Sequence, residues 1–331
     1  MTVRVAAIDL GTVTARLLLA EVDGEGGGIR ELGRFLRITH LGEGLLATGS
    51  IGEAALAREL AACRDFLAEM DAVSRRDGRP FERTVAVATS AMRDARNASE
   101  VCGALRGLGL HVEVIDGLRE ARLSFLGTLS GFPAEGGPSM PTDGPVLTID
   151  VGGGSTELVL GSVETGKEGA RPRILKGRSF DTGSRRVTDR FLKSDPPTAE
   201  EMASADRWLV QQMQGYFEGS DAAPRKAIAV AGTATSAVSV RDGTAEYDPW
   251  KVHGATVTQG ELDAVLDALA GMPLSRRRRC TGLEPGRAPV ILGGLMALRT
   301  VLRLADMEAF TVSETDILQG IALDAVCPFA A

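Results

Sequence analysis

Two separate stretches of this chain repeat at nearly one spacing, and that restricts what it can fold into more than any other feature. Ala7-Ile-Asp-Leu-Gly-Thr-Val-Thr-Ala-Arg-Leu-Leu-Leu19 lines up with Thr148-Ile-Asp-Val-Gly-Gly-Gly-Ser-Thr-Glu-Leu-Val-Leu160 at an offset of 141 residues. Ala86-Val-Ala-Thr-Ser-Ala91 lines up with Ala229-Val-Ala-Gly-Thr-Ala234 at an offset of 143. Two matches at almost the same offset imply two homologous halves and not a short-period solenoid.

Each half opens with an apolar run, an Asp, a Gly-rich turn and a second apolar run. That is a β-hairpin whose tip carries Asp, Gly and hydroxyl groups. A third extended segment follows in each half (Ile29–Thr39; Arg173–Phe180), and helices then alternate with strands. Ser50-Ile-Gly-Glu53 reads as a capping box before a helix with Leu56, Leu60, Cys63, Leu67 and Met70 on one face. Asn97, with Glu100 three residues on, starts another, carrying Val101 and Leu105. Thr198-Ala-Glu-Glu201 caps a helix with Met202, Leu209, Met213 and Tyr216 inward, and Thr258-Gln-Gly-Glu261 caps one bearing Leu262, Val265 and Leu269.

Each half therefore reads βββαβαβα, the second with an insertion near 241–300, which makes the fold class α/β. We expect domain I over residues 1–125 plus about 315–331, and domain II over 126–314. The Pro- and Gly-rich stretch Gly131–Gly144 is the boundary region, with a hinge near residue 125, and the last helix (about Asp316–Val326) packs back on the first domain.

Of the 331 residues, 44% are apolar and 24% charged, which excludes disorder. A net charge of −7 argues against a generic nucleic-acid binder. The 40 glycines point to heavy use of turns and close backbone approaches. No apolar run approaches the ~18 residues of a membrane span, and the start, Met-Thr-Val-Arg, has no signal-peptide pattern. Cys63, Cys102, Cys280 and Cys327 have no paired spacing and read as reduced thiols. The expected setting is cytoplasmic.

The hairpin tips offer successive backbone N–H groups with little side-chain obstruction, a nest for phosphate oxygens. At the first tip these are Gly11, Thr12 and Val13; at the second, Gly153, Gly154 and Ser155. The second tip also carries two carboxylates, Asp150 and Glu157, around its triple Gly. Carboxylates beside phosphate repel it unless a hard cation such as Mg²⁺ lies between them. Thr89–Asn97, with Arg93, and the small-residue turn Ala231–Thr235, with Gly232 and Thr233, come at strand ends and suit anions as well. Four such tips, two per half, would face one another across a cleft. Glu120 stands in the first turn of a helix, where dipole compensation and catalysis are both open readings.

Other features carry less. Gly161–Lys167 begins like a P-loop, but Glu168 stands where Ser or Thr is needed and the segment joins two strands. His40, His111 and His253 lack metal-ligand spacing and read as structural, with contact to a ligand as the alternative for His253. Arg276–Arg279 reads as a solvated face, with an anion track for a long polyphosphate as the alternative.

Together, Thr89-Ser-Ala-Met-Arg-Asp-Ala, Glu120-Ala-Arg-Leu and Asp150-Val-Gly-Gly-Gly-Ser-Thr-Glu157 closely resemble the exopolyphosphatase and guanosine pentaphosphate phosphohydrolase (Ppx/GppA) family, in its short form. The resemblance implies two duplicated ribonuclease-H-like domains of the actin, hexokinase and Hsp70 superfamily, with an interdomain cleft that closes by a hinge. It matches Glu120 to the glutamate that activates water, and Asp150, Gly152 and Glu157 to the Mg²⁺ (or Mn²⁺) and phosphate site, with Ser155 on phosphate. Arg93 matches the phosphate-binding arginine. The family's usual Asn-Ser at the first tip is Val13-Thr14 here, so any contact from an Asn amide is lost.

The implied activity is that of a phosphoric anhydride hydrolase releasing orthophosphate from the ends of inorganic polyphosphate. The alternatives are hydrolysis of guanosine pentaphosphate, a sugar or acyl kinase, or a non-catalytic guanosine tetra- or pentaphosphate sensor. The implied assembly is a homodimer.

Overall fold

The computed structural model describes residues 1–24, 28–132, 144–166, 169–218 and 223–328. Most of the expected boundary stretch, residues 133–143, lies outside the described residues, as do Lys167 and Glu168 of the P-loop-like segment. The chain divides into two compact units, Met1–Ser130 with Thr315–Ala331, and Gly131–Glu314.

Unit 1 contains β1 (Thr2–Leu10), β2 (Thr14–Asp23), β3 (Ile29–Ile38), α1 (Leu45–Thr48), α2 (Glu53–Asp77), β4 (Arg83–Ala88), α3 (Ser90–Asp94), α4 (Ala98–Arg106), β5 (Val112–Val114) and α5 (Gly117–Ser130). Unit 2 contains β6 (Val146–Val151), β7 (Thr156–Gly166), β8 (Gly169–Phe180), α6 (Ser184–Phe191), α7 (Ala199–Phe217), β9 (Lys226–Val230) and α8 (Ala231–Arg241). The region of the expected insertion adds α9 (Pro249–Val252), β10 (Thr256–Thr258), α10 (Gln259–Ala270), α11 (Leu274–Arg277) and α12 (Ile291–Leu304), before β11 (Ala309–Val312). The final helix, α13 (Ile317–Val326), belongs to unit 1.

The sheets share one plan. Unit 1 has the order β3-β2-β1-β4-β5, and unit 2 has β8-β7-β6-β9-β11 with β10 added at the edge. In both, the first three strands are antiparallel, and the first strand then runs parallel to the fourth, reached through a crossover. The duplication read from the sequence is therefore a duplication of topology. One face of the unit 1 sheet is covered by α2 and α4, through Phe66, Cys63, Val101 and Leu105. The other is covered by α5 and α13, through Leu123, Ile317 and Ile321. These two helices cross so tightly that a Cβ on Gly127 would overlap the Asp316 carbonyl, and one on Gly320 the Leu123 carbonyl.

The capping boxes at Thr198–Glu201 and Thr258–Glu261 both form. The one expected at Ser50 does not. Helix α2 starts from Gly52 without a side-chain cap. The Thr48 hydroxyl instead holds the Ser50 backbone, and the Asn97 amide bonds Ile51 at both its N–H and its carbonyl, 2.9 Å each. The buried stripe of α2 is also turned by about one residue from the expected one. Ala55, Glu59, Ala62, Cys63, Phe66 and Val73 are buried, while Leu56, Leu60, Leu67 and Met70 lie at the rim. Helix α5 runs unbroken through residue 125, where the hinge was expected, and the division between the units follows it.

Candidate active site

In unit 2 the hairpin pairing sets Asp150 directly opposite Glu157, and both are buried. Ser179 of β8 donates to Glu157 Oε1 at 2.6 Å. The turn between the strands closes through the Gly152 N–H, which donates to the Ser155 carbonyl at 3.0 Å. The start of α6 docks on that turn. The N–H groups of Gly183, Ser184 and Arg185 donate to the carbonyls of Gly154, Gly152 and Gly153 at 3.2, 2.9 and 2.8 Å. Arg186 Nε adds a bond to Gly154 at 2.9 Å. A Cβ at Gly183 would overlap the backbone of Gly153 and Gly154, so only glycine permits this approach.

Strand β9 runs parallel to β6 with Val230 beside Asp150, which delivers the first turn of α8 next to the same carboxylate. Thr233 Oγ1 donates to the Val151 carbonyl at 3.4 Å. The chain enters α8 through Ala231 at φ 65°, a left-handed conformation costly for a residue with a Cβ and found mostly at functional sites. Thus Asp150, Gly152–Ser155, Glu157, Gly232 and Thr233 are brought into one place. Sequence reasoning missed a further residue there: the Arg287 guanidinium lies against Gly232, where a Cβ would overlap it. Nothing near Arg287 in the sequence marks it, and only the fold carries it to the turn.

In unit 1 the equivalent hairpin places Asp9 opposite Arg16. Arg16 donates to Asp9 Oδ2 at 2.6 Å and also pairs with Asp316, the N-cap of α13. Burial pushes the Asp9 carboxyl up, Arg16 opposes this, and the charge of Asp316 adds to it. The tip Gly11–Val13 closes through the Gly11 N–H on the Thr14 carbonyl at 2.9 Å. Val13 is buried, and its carbonyl accepts from the N–H groups of both Thr39 and His40, at 3.0 and 2.9 Å. The tip is thus held through its backbone, with an apolar side chain inside it.

Strand β4 runs parallel to β1 and ends beside the tip, where the Thr89 N–H donates to the Leu10 carbonyl at 3.2 Å. From the short helix that follows, Arg93 Nη1 donates to Glu120 Oε2 at 2.6 Å and to the Ile115 carbonyl at 3.0 Å. Glu120 is buried in the first turn of α5. The two residues read separately from the sequence form one ion pair.

His253 is a structural bridge: Nε2 lies 2.9 Å from the Gly131 carbonyl, and Nδ1 accepts from the Glu314 N–H at 3.2 Å. The run Arg276–Arg279 divides. Arg276, Arg278 and Arg279 are exposed, but Arg277 is buried against Asp195 and the carbonyls of Met272 and Ala288, so it serves as a clamp within the fold.

Two buried carboxylates on adjacent strands are a hard-oxygen donor pair. Among the described residues no group of three or more His, Cys, Asp or Glu is arranged to hold a metal ion. A cation of the Mg²⁺ kind takes one or two carboxylates and completes its shell with water and substrate phosphate, so Asp150 and Glu157 fit it. The Gly152 carbonyl already accepts from Ser184 and has one lone pair left.

The repeated hairpin, crossover strand and phosphate-type turn define a two-unit fold of the actin and hexokinase kind. The Ppx/GppA phosphatase family description matches residues 19–327, and the chain belongs to that family. It is 36% identical to Exopolyphosphatase 2 of Mycobacterium tuberculosis, over 97% of this chain and 98% of that protein. Among solved structures it is similar to an exopolyphosphatase-like protein, with a TM-score of 0.86 and 34% identity, covering 98% of both chains. It is also similar to the Aquifex aeolicus Ppx/GppA family member, with a TM-score of 0.75 and 28% identity, again over 98% of both chains. No helix among the described residues is long and apolar enough to cross a membrane.

Proposed function

We propose that the chain is an exopolyphosphatase, a hydrolase that releases orthophosphate from the end of inorganic polyphosphate. The observation that carries this reading is the pair of buried carboxylates, Asp150 and Glu157, facing each other across a triple-glycine turn. Such a pair belongs beside phosphate only where a divalent cation is shared between them. The name borne by the 36% identical mycobacterial relative selects polyphosphate as the substrate.

Asp150 and Glu157 would hold Mg²⁺ (or Mn²⁺), which when bound offsets charge on the phosphate oxygens. The remaining work falls to groups of the chain. Backbone N–H groups at Gly153–Ser155 and at Gly232–Thr233, with the Arg287 guanidinium, hold phosphate in unit 2. Gly11–Val13 and Arg93 do so in unit 1. Glu120, oriented by Arg93, accepts a hydrogen bond from the attacking water and takes its proton as the phosphoanhydride breaks.

The test is orthophosphate release, with Mg²⁺, from short polyphosphate, long polyphosphate, guanosine pentaphosphate and ATP, by the wild type and by Glu120→Gln. Release from polyphosphate that falls on the order of 10²–10⁴-fold in the variant is the expected result. Full activity in the variant would remove Glu120 from the mechanism. Preference for guanosine pentaphosphate would reassign the substrate, and binding without release would make the protein a sensor. The reading also places the protein in the cytoplasm, as a homodimer.

A further inference from the structure

Buried polar atoms that lack a hydrogen-bond partner are rare in folded proteins, and here they cluster. Of nine such side-chain atoms among the described residues, five belong to four residues around the first hairpin tip: Asp9 Oδ1, Thr12 Oγ1, Thr39 Oγ1, and Glu59 Oε1 and Oε2. Glu59 is fully buried on the inner stripe of α2. The Thr39 hydroxyl faces it without reaching hydrogen-bond geometry.

The same residues fasten the tip. The Thr39 and His40 N–H groups donate to the Val13 carbonyl, and the Gly42 N–H donates to the Thr12 carbonyl at 2.9 Å, so 39–42 is a backbone clasp around Thr12–Val13. His40 adopts φ 49° to make it. Helix α2 holds the clasp from behind, where Arg58 Nε donates to the Thr39 carbonyl at 2.6 Å.

We propose that Glu59 is a proton-operated latch on this clasp. Protonated by solvent, it donates its O–H into the Asp9–Thr12–Thr39 cluster, and the clasp grips the tip. Ionised, its proton returned to water, it sets a second negative charge beside Asp9, and the clasp loosens. Phosphate affinity at the first tip then falls as pH rises. The last step rests on the reading of that tip as a phosphate site.

The charged and titratable groups around Glu59 support a neutral resting form. Asp9 of β1 opposes its ionisation, and Arg58 of α2 favours it. Arg16 of β2 is committed to Asp9 and Asp316. His40 lies in the clasp itself. One turn along α2, Cys63 is pushed up to about 12 by burial, with the charge of Glu59 adding to it and Arg64 opposing, so its thiol stays neutral. Burial, reinforced by Asp9, pushes the Glu59 carboxyl up to about 7 from its ordinary 4.5. The unfolded chain therefore ionises first. Stability contributed by the protonated form is full below about 4.5 and lost as pH rises to about 7, after which the loss is complete.

The experiment compares wild type with Glu59→Gln, which keeps the shape and removes the charge, from about pH 6 to about pH 8.5. Three quantities are read: amide-exchange protection at Thr39, His40 and Gly42, corrected for intrinsic rates; KM and kcat for short polyphosphate; and, in the wild type alone, the protonated-carboxyl infrared band. We expect protection to fall and KM to rise on the order of tenfold across this range in the wild type. Both should stay level in Glu59→Gln, with kcat profiles that coincide. Identical exchange profiles in the two proteins would overturn the latch, as would the lack of a carboxyl band lost across this range, whether or not the variant folds. Exchange that responds while KM does not would overturn the link to phosphate. If neither protein hydrolyses polyphosphate, the proposed activity fails, and the exchange and infrared readings still decide the latch.

Discussion

Asp9 and Asp150 occupy the same place in the repeat, yet the residue across the hairpin is Arg16 in one case and Glu157 in the other. That single exchange turns one tip into an internally neutralised joint and leaves the other with two facing carboxylates. Arg16 stands between two buried carboxylates, Asp9 and Asp316. Arg16→Met is therefore expected to cost about 3–5 kcal/mol in urea unfolding, the cost of leaving buried charge uncompensated. A loss below about 1 kcal/mol would mean that water reaches the pair. At this scale the sequence was half legible. Asp150, Glu157 and Glu120 stood out because glycine runs and helix starts surround them. Arg16 and Glu59 did not, because an arginine on a strand and a glutamate one position off an expected apolar stripe look like surface residues until the register of β2 and the rotation of α2 are known.

Elements were more legible than contacts. Threonine followed by glutamate three residues on marked α7 and α10 correctly, because both halves of a capping box are local. Ser50 misled, because its backbone answers to Thr48, and that of its neighbour Ile51 to Asn97, forty-six residues away. The crossing of α5 and α13 could not be read at all, since Gly127 and Gly320 matter only to each other's helix. Gly320→Ala drives a methyl into the Leu123 carbonyl and is expected to destabilise unit 1 by about 1–3 kcal/mol or more, read by thermal unfolding. Gly103→Ala in α4, where a Cβ meets nothing within 4 Å, should instead stabilise by about 0.5–1 kcal/mol. Equal effects from the two would show that helix propensity, not close approach, governs both sites.

For the whole chain, the repeat in the sequence foretold two halves of one topology, and the sheet orders agree strand for strand apart from β10. The connectivity of the units is unequal. Unit 2 is one continuous segment, Gly131–Glu314, whereas unit 1 takes α13 from the far side of it. Residues 131–314 produced alone are expected to unfold cooperatively in denaturant. Residues 1–130 alone should not, until a peptide spanning 315–331 is added, which supplies Asp316 for Arg16 and a cover for Leu123. Cooperative unfolding of 1–130 without the peptide would show that α13 is dispensable.

The split character of unit 1 also sets an order of events on the ribosome. Strand β1 is made well before unit 2, but α13, which shares with α5 the covering of its sheet, is made only after all of unit 2. At roughly 5–20 residues per second the growing chain carries the face of Val5, Ala7 and Leu18, covered only by α5, for about 10–40 seconds before Ile317 and Ile321 arrive. During that interval the nascent chain displays an apolar sheet surface, the kind of target that chaperones occupy. The pace of translation through unit 2 becomes a determinant of how much protein survives to be counted.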